Sequence, residues 1–186
     1  MTRRHAVARW LGPCVAAVCV ASATAGESSG ESAATPPVAE AAAEQAEVRR
    51  LMNYCFALAR QILAEHPAFH PFAFVLEQDG QVAQVALSEG RDHEGAFLIE
   101  TLEDLLQQRA SEGKYRAIGI AADVHIAHDG KETDAIQVGL EHTSGYCVHV
   151  YLPYERSEDG EVSVGEAVSA ARTGTVFGPC TETAGD

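Results

Sequence analysis

Positive charge is scarce in this chain. Its 13 Lys and Arg stand against 27 Asp and Glu, a formal net charge of −14 at pH 7. Such a surface repels phosphate backbones and anionic lipid headgroups, so nucleic-acid binding is excluded as a function class and cationic partners are favoured. Several of the usual catalytic signatures are missing too. There is no H-E-x-x-H, C-x-x-C, G-x-G-x-x-G or P-loop pattern, which leaves the common zinc, redox, dinucleotide and nucleotide sites without support and no cofactor expected. Nor does any apolar run reach the roughly 20 residues that a membrane-spanning helix needs.

What stands at the start is a shorter pattern. Arg3, Arg4 and Arg9 precede an apolar run from Val15 to Ala21, and Ala23-Thr24-Ala25 precedes Gly26. A basic beginning, a short apolar centre and an A-x-A site predict a secretory signal over residues 1–25 and export to the periplasm or beyond, with no stable membrane insertion after cleavage. The Arg3-Arg4 pair leaves twin-arginine export open beside the general route. Cleavage there leaves ten basic against 27 acidic side chains, a net −17. It also removes Cys14 and Cys19, so three of the five cysteines remain. An odd number in an oxidising compartment allows one internal bridge and leaves one thiol. Cys55 lies at helical spacing with Leu51, Met52, Leu58, Ala59 and Ile62 and reads as core. Cys147 and Cys180 are then the pair available for a bridge, although spacing alone does not supply the geometry.

Residues 26–37, rich in Ser, Gly, Ala and Pro, read as a flexible leader. Residues 38–177 make one domain, large enough to bury roughly two thirds of its unfolded surface without a metal or a disulfide, and residues 178–186 read as a disordered tail. Within the domain, Val48, Leu51, Met52, Cys55, Leu58, Ala59, Ile62 and Leu63 define a long amphipathic helix over Val38 to Glu65, closed by Pro67. Two short strands flank Asp79-Gly80, a strong hairpin signal. A second helix runs from Glu94 to Ser111 and stops at Gly113. Three strands follow, Tyr115 to His128, Asp134 to His142 and Tyr146 to Tyr154, joined by short turns and hence antiparallel. "DGKETD", Asp129 to Asp134, reads as a hairpin turn because it lacks the ligand spacing of an EF-hand. "EVSVGEAVSAAR" adds a short helix and Thr175 to Phe177 a docking edge. The expected fold is α+β, two layers, with a five-stranded antiparallel sheet and both main helices on one face.

This order of elements resembles roadblock and profilin-like domains. The E-H-T-S-G-Y…L-P-Y hairpin, Glu141 to Tyr154, is similar to one in small exported bacterial proteins of unknown function. The first resemblance implies a module that dimerises or binds partner proteins, and the second names no activity.

Alternation along the strands sorts the hairpin's chemistry. With Ile118, Ile120, Val124, Ile126, Ile136, Val138, Leu140, Val148, Val150 and Leu152 directed to the core, the outer face carries Asp123, His125, Gln137, Glu141, Cys147, His149 and Tyr151. A tight turn at Thr143 to Gly145 sets Glu141 opposite Cys147, Gly139 opposite His149 and Gln137 opposite Tyr151. Pairing His125 with Gly139 would bring the two imidazoles together across a glycine. The leading reading is an interaction face for an unknown protein partner or a second copy, with Tyr146, Tyr151 and Tyr154 as aromatic contacts. The alternative is a small metal-dependent hydrolase whose ion is held by His125, His149, Glu141 and Asp123, with one position open to water. Activation of Cys147 by His149 is disfavoured, since i, i+2 side chains on a strand stand roughly 7 Å apart at the root. His125 and His128 point to opposite faces.

Overall fold

The computed structural model describes residues 37–87, 94–128 and 130–181. The expected signal segment, and the leader before Pro37, lie outside the described residues. Helix α1 (Pro37–Glu65) is followed by β1 (Phe72–Glu77), β2 (Val82–Ala86), α2 (Gly95–Ser111), β3 (Tyr115–His128), β4 (Lys131–His142), β5 (Cys147–Arg156), β6 (Val162–Val164) and β7 (Val168–Ala170). The strands form one antiparallel sheet in the order β2-β1-β3-β4-β5-β6, with β7 also pairing β5. The α+β class, the two helices and the five main strands follow the sequence expectation. Among the described residues no helix is long and apolar enough to cross a membrane.

Three local expectations need correction. Pro37, assigned to the leader, opens α1, where its fixed φ and missing N–H cost nothing. "EVSVGEAVSAAR" forms β6 and β7 instead of a helix. The segment is too short to nucleate a helix alone, and the free edge of β5 offers its β-branched valines a ladder. Residues 178–181 are held and are not a loose tail. Cys180 is disulfide-bonded to Cys147, and the Thr181 N–H donates to the Gly145 carbonyl at 2.9 Å.

The helices also occupy opposite faces, not one. Val48, Leu51, Cys55, Ala59 and Leu63 of α1 pack with Phe72, Leu76, Ala117, Ala121, Val138 and Leu140. Leu102 and Leu106 of α2 pack with the intervening Ala73, Val75, Ile118 and Ile120. Consecutive strand residues face opposite ways, so the sheet is sandwiched between helices along β1 and the first half of β3. Those are the places where the sequence runs apolar without alternation, Phe72 to Leu76 and Ala117 to Ala122, the pattern of strands covered on both sides. Each fully buried leucine contributes about 1.5–3 kcal/mol. Gly119 lets α1 press against β3, because a Cβ there would lie 3.2 Å from Cys55 Sγ and 3.1 Å from Leu140 Cδ2. Burial pushes the Cys55 thiol up to about 12, so it stays protonated and acts as a small hydrophobe.

Candidate functional site

Register decides which of the hairpin's polar residues meet. Between β4 and β5 the pairs are those expected, Glu141 with Cys147, Gly139 with His149 and Gln137 with Tyr151. Between β3 and β4 they are not. Gly139 pairs with Ile120, while His125 pairs with Asp134, because β4 begins at Lys131 and the turn is shorter than the sequence reading allowed. The slip spans an odd number of residues and so reverses the faces. Asp123 and His125 lie on the α1 side, whereas Gln137, Glu141, Cys147, His149 and Tyr151 lie on the α2 side. The proposed ligand set is therefore divided by the sheet, and among the described residues no three His, Cys, Asp or Glu side chains gather as metal ligands.

Glu141 is fully buried. Its Oε1 accepts hydrogen bonds from Arg172 Nε and the Thr175 N–H, both at 2.9 Å, and from Thr175 Oγ1 at 3.0 Å. Its Oε2 accepts from the N–H groups of Val176 at 2.9 Å and Phe177 at 3.2 Å. One carboxylate thus catches three successive amides of the segment after β7 and holds it as a strap across the α2 face. Thr175 to Phe177 are the residues read from sequence as a docking edge. Cys147 and Cys180 bolt the strap one step further on, with Cα atoms 5.6 Å apart. Burial alone would raise the Glu141 carboxyl, but the Thr175 and Val176 amides, the Arg172 guanidinium and the Phe177 amide outweigh it and hold the group below the usual carboxylate range.

Arg172 is itself buried, bonded by Nη2 to Glu103 of α2 at 2.8 Å. It lies flat over Gly139, where a Cβ would stand 3.0 Å from its Cζ; the glycine makes room for the guanidinium. Arg172 Nη1 lies 3.4 Å from His149 Nε2. The Gln137 side-chain amide nitrogen lies 3.0 Å from Nδ1; both neighbours are donors, so the neutral ring, which keeps one N–H of its own, accepts from one of them. Burial, reinforced by the Arg172 charge, holds the His149 imidazole below its ordinary value and neutral at pH 7. Its ring leans on Tyr151 with centroids 5.9 Å apart.

These two depressed groups predict a stepwise acid response. In each, the unfolded chain takes up a proton that the folded protein holds off, so stability is complete above the unfolded value and falls below it. Loss begins under roughly pH 6.5 for His149 and under roughly pH 4.3 for Glu141. Asp123 works the other way. Burial raises its carboxyl despite the Tyr154 hydroxyl and the Phe69 amide, so its contribution grows as pH falls. Urea midpoints measured across this range should therefore drop first in a step that His149→Gln removes; a profile unchanged by that substitution would contradict the assignment.

On the α1 side, His142 is buried and links three elements. The Ser144 N–H, which only donates, lies 3.0 Å from Nδ1, so Nε2–H donates to Glu47 Oε2 at 3.2 Å. Ser144 Oγ approaches Nδ1 at 2.8 Å, and Glu47 also pairs with Arg116 at 2.6 Å. The line Ser144, His142, Glu47 has the composition of an acyl-transfer relay. Its amides, however, are already engaged: Thr143 N–H to the Arg116 carbonyl, Gly145 N–H to the His142 carbonyl and Ser144 N–H to the ring. With these three amides engaged, the cluster ties the turn to α1. Near the far end of the hairpin, the Tyr154 hydroxyl donates to Asp123 at 2.8 Å, and His125 faces Asp134 at 3.1 Å in an exposed pair. Tyr154, expected as an interface aromatic, is buried.

Arg172, Glu103 and Glu47 escaped the sequence reading. Arg172 stands among small residues in a segment assigned to a helix, and each acid looks like any other helix-surface charge. The chain matches no protein-family model, and no curated protein or solved structure matches it.

Proposed function

We propose that this protein is an exported, non-enzymatic interaction module whose working surface is the strip of β4 and β5 beside the strap, centred on Gln137, His149 and Tyr151. The observation that carries this reading is the preparation of His149. The imidazole is kept neutral, fixed by Gln137 and Arg172, and laid against Tyr151, so an aromatic ledge is ordered before any partner arrives and little further entropy is lost on binding. The groups around it that could do chemistry are committed elsewhere, Glu141 to the strap and Cys147 to the disulfide. A disulfide is also what an oxidising compartment permits, which supports export. The resemblance to roadblock and profilin-like domains points by analogy to the same class of function, a protein partner or a second copy. No observation favours the hydrolase reading, since His125 and Asp123 lie across the sheet from His149 and Glu141.

The test separates binding from folding. Tyr151→Ala and His149→Ala should each change stability by less than about 1 kcal/mol, whereas Val150→Ala, on the buried side, should cost roughly 1.5–3 kcal/mol. Sedimentation analysis for self-association, with photo-crosslinking from position 151 in extract of the native host, should register a partner that both ledge variants lose. A ledge that contacts neither a second copy nor another protein would refute the proposal.

A further inference from the structure

A second surface lies on the α1 face and does not depend on the ledge. Helix α1 packs chiefly over β3, β4 and β1 and meets the end of β5 through its last turn, where the Leu63 carbonyl accepts from Arg156 Nε at 2.8 Å, while β7 lies along β5, pairing Ser169 with Val150. Between them remains a slot of about 400 Å³, inside the roughly 300–1,000 Å³ range of small-molecule sites. Its floor is Leu140, Val148 and Val150, and Met52 and Phe56 form the helix wall. Met52, Phe56 and Val148 are core-type residues left partly open, and Leu140 and Val150 lie buried beneath them.

The lining carries no negative charge. In a chain with 27 acidic side chains, no Asp or Glu lines this slot, and Arg49 does. The Arg49 guanidinium makes no ion pair or side-chain hydrogen bond with another described residue, in contrast to Arg116 and Arg172, which are both paired. Gln45, one helical turn earlier, Tyr146 and Ser169 share the lining, and their side chains make no hydrogen bond with another described residue. An apolar trough with uncommitted donors at its lip matches a ligand that is apolar at one end and anionic at the other. A carboxylate can take two parallel hydrogen bonds from the guanidinium while its tail displaces water from the valines.

We infer that this slot binds a small amphiphilic carboxylate, its headgroup on Arg49 and its hydrocarbon tail over Val148 and Val150. The net negative charge of the chain disfavours such an anion at acidic parts of the surface, so one saturable site is expected. Calorimetric titration of the full chain with decanoate, below its micelle concentration, should show saturable binding at one site per chain. Decanol should bind at least tenfold more weakly. Arg49→Gln, at an exposed helix position, should leave the fold intact by circular dichroism and weaken decanoate at least tenfold without changing decanol. Met52→Trp, which fills the slot, should abolish both. The inference is overturned if decanoate shows no saturable binding, if decanol binds as tightly, or if Arg49→Gln leaves decanoate affinity unchanged; this last outcome rejects the site even where Met52→Trp fails to fold.

Discussion

Replacing Glu141 with alanine should lower the free energy of unfolding by about 3–5 kcal/mol, the range for removing one member of a buried ion pair. The substitution leaves Arg172 with Glu103 as its one remaining carboxylate and strips the Thr175, Val176 and Phe177 amides of their acceptor. A buried amide without a partner costs about 1–3 kcal/mol, so the strap will lift into water before paying that three times over, and this limits the total. Urea denaturation should show the lower midpoint, and hydrogen exchange should show loss of protection concentrated in residues 172–178. Glu141→Gln keeps the shape and one acceptor oxygen and should fall between alanine and wild type. A loss below about 1 kcal/mol for Glu141→Ala would mean that the carboxylate does not anchor the strap.

Breaking the disulfide, by Cys147→Ser together with Cys180→Ser, should cost about 3–4 kcal/mol on the chain-entropy model for a loop of this length, given a sequence separation of 33. For a domain of this size that corresponds to a fall in Tm of roughly 6–15 °C. A reducing agent should lower the wild-type Tm similarly and leave the serine variant unmoved. Because Glu141 and the disulfide hold the same segment, combining the substitutions should cost less than their sum. Full additivity would show that the two fastenings act independently, contrary to the structure.

Much of the architecture was legible because it rests on local pattern. The stripe from Val48 to Leu63 is a helix at any register, and Asp79-Gly80 turns the chain wherever the hairpin sits. The β4–β5 pairing was readable for the same reason, since a three-residue turn leaves little freedom. The β3–β4 register was not, because Asp129 to Asp134 contains several residues suited to a turn and the sequence does not say which two serve. That single ambiguity moved Asp123 and His125 to the wrong face and produced a metal site that does not assemble. The covered state of β1 and β3 was visible in their unbroken apolar runs, a sign of helices on both sides that outweighed any preference for a two-layer arrangement. Arg172 depended on long-range packing alone: nothing near it in sequence announces that a glycine 33 positions earlier has cleared a space for it.

The strap has a consequence for the order in which the molecule assembles. Every element of the sheet up to β5 is complete by Arg156, yet the counter-charge for Glu141 is Arg172 and its amide donors lie at 175–177. A chain emerging from its N-terminus can pair its main strands while Glu141 is still solvated on an open surface. Only when residues 172–180 arrive is that carboxylate closed in and the cysteines brought together. Closure of this face thus waits on residues 172–181, and a chain cut short before Arg172 would keep its main strands but leave Glu141 hydrated and Cys147 an unpaired thiol.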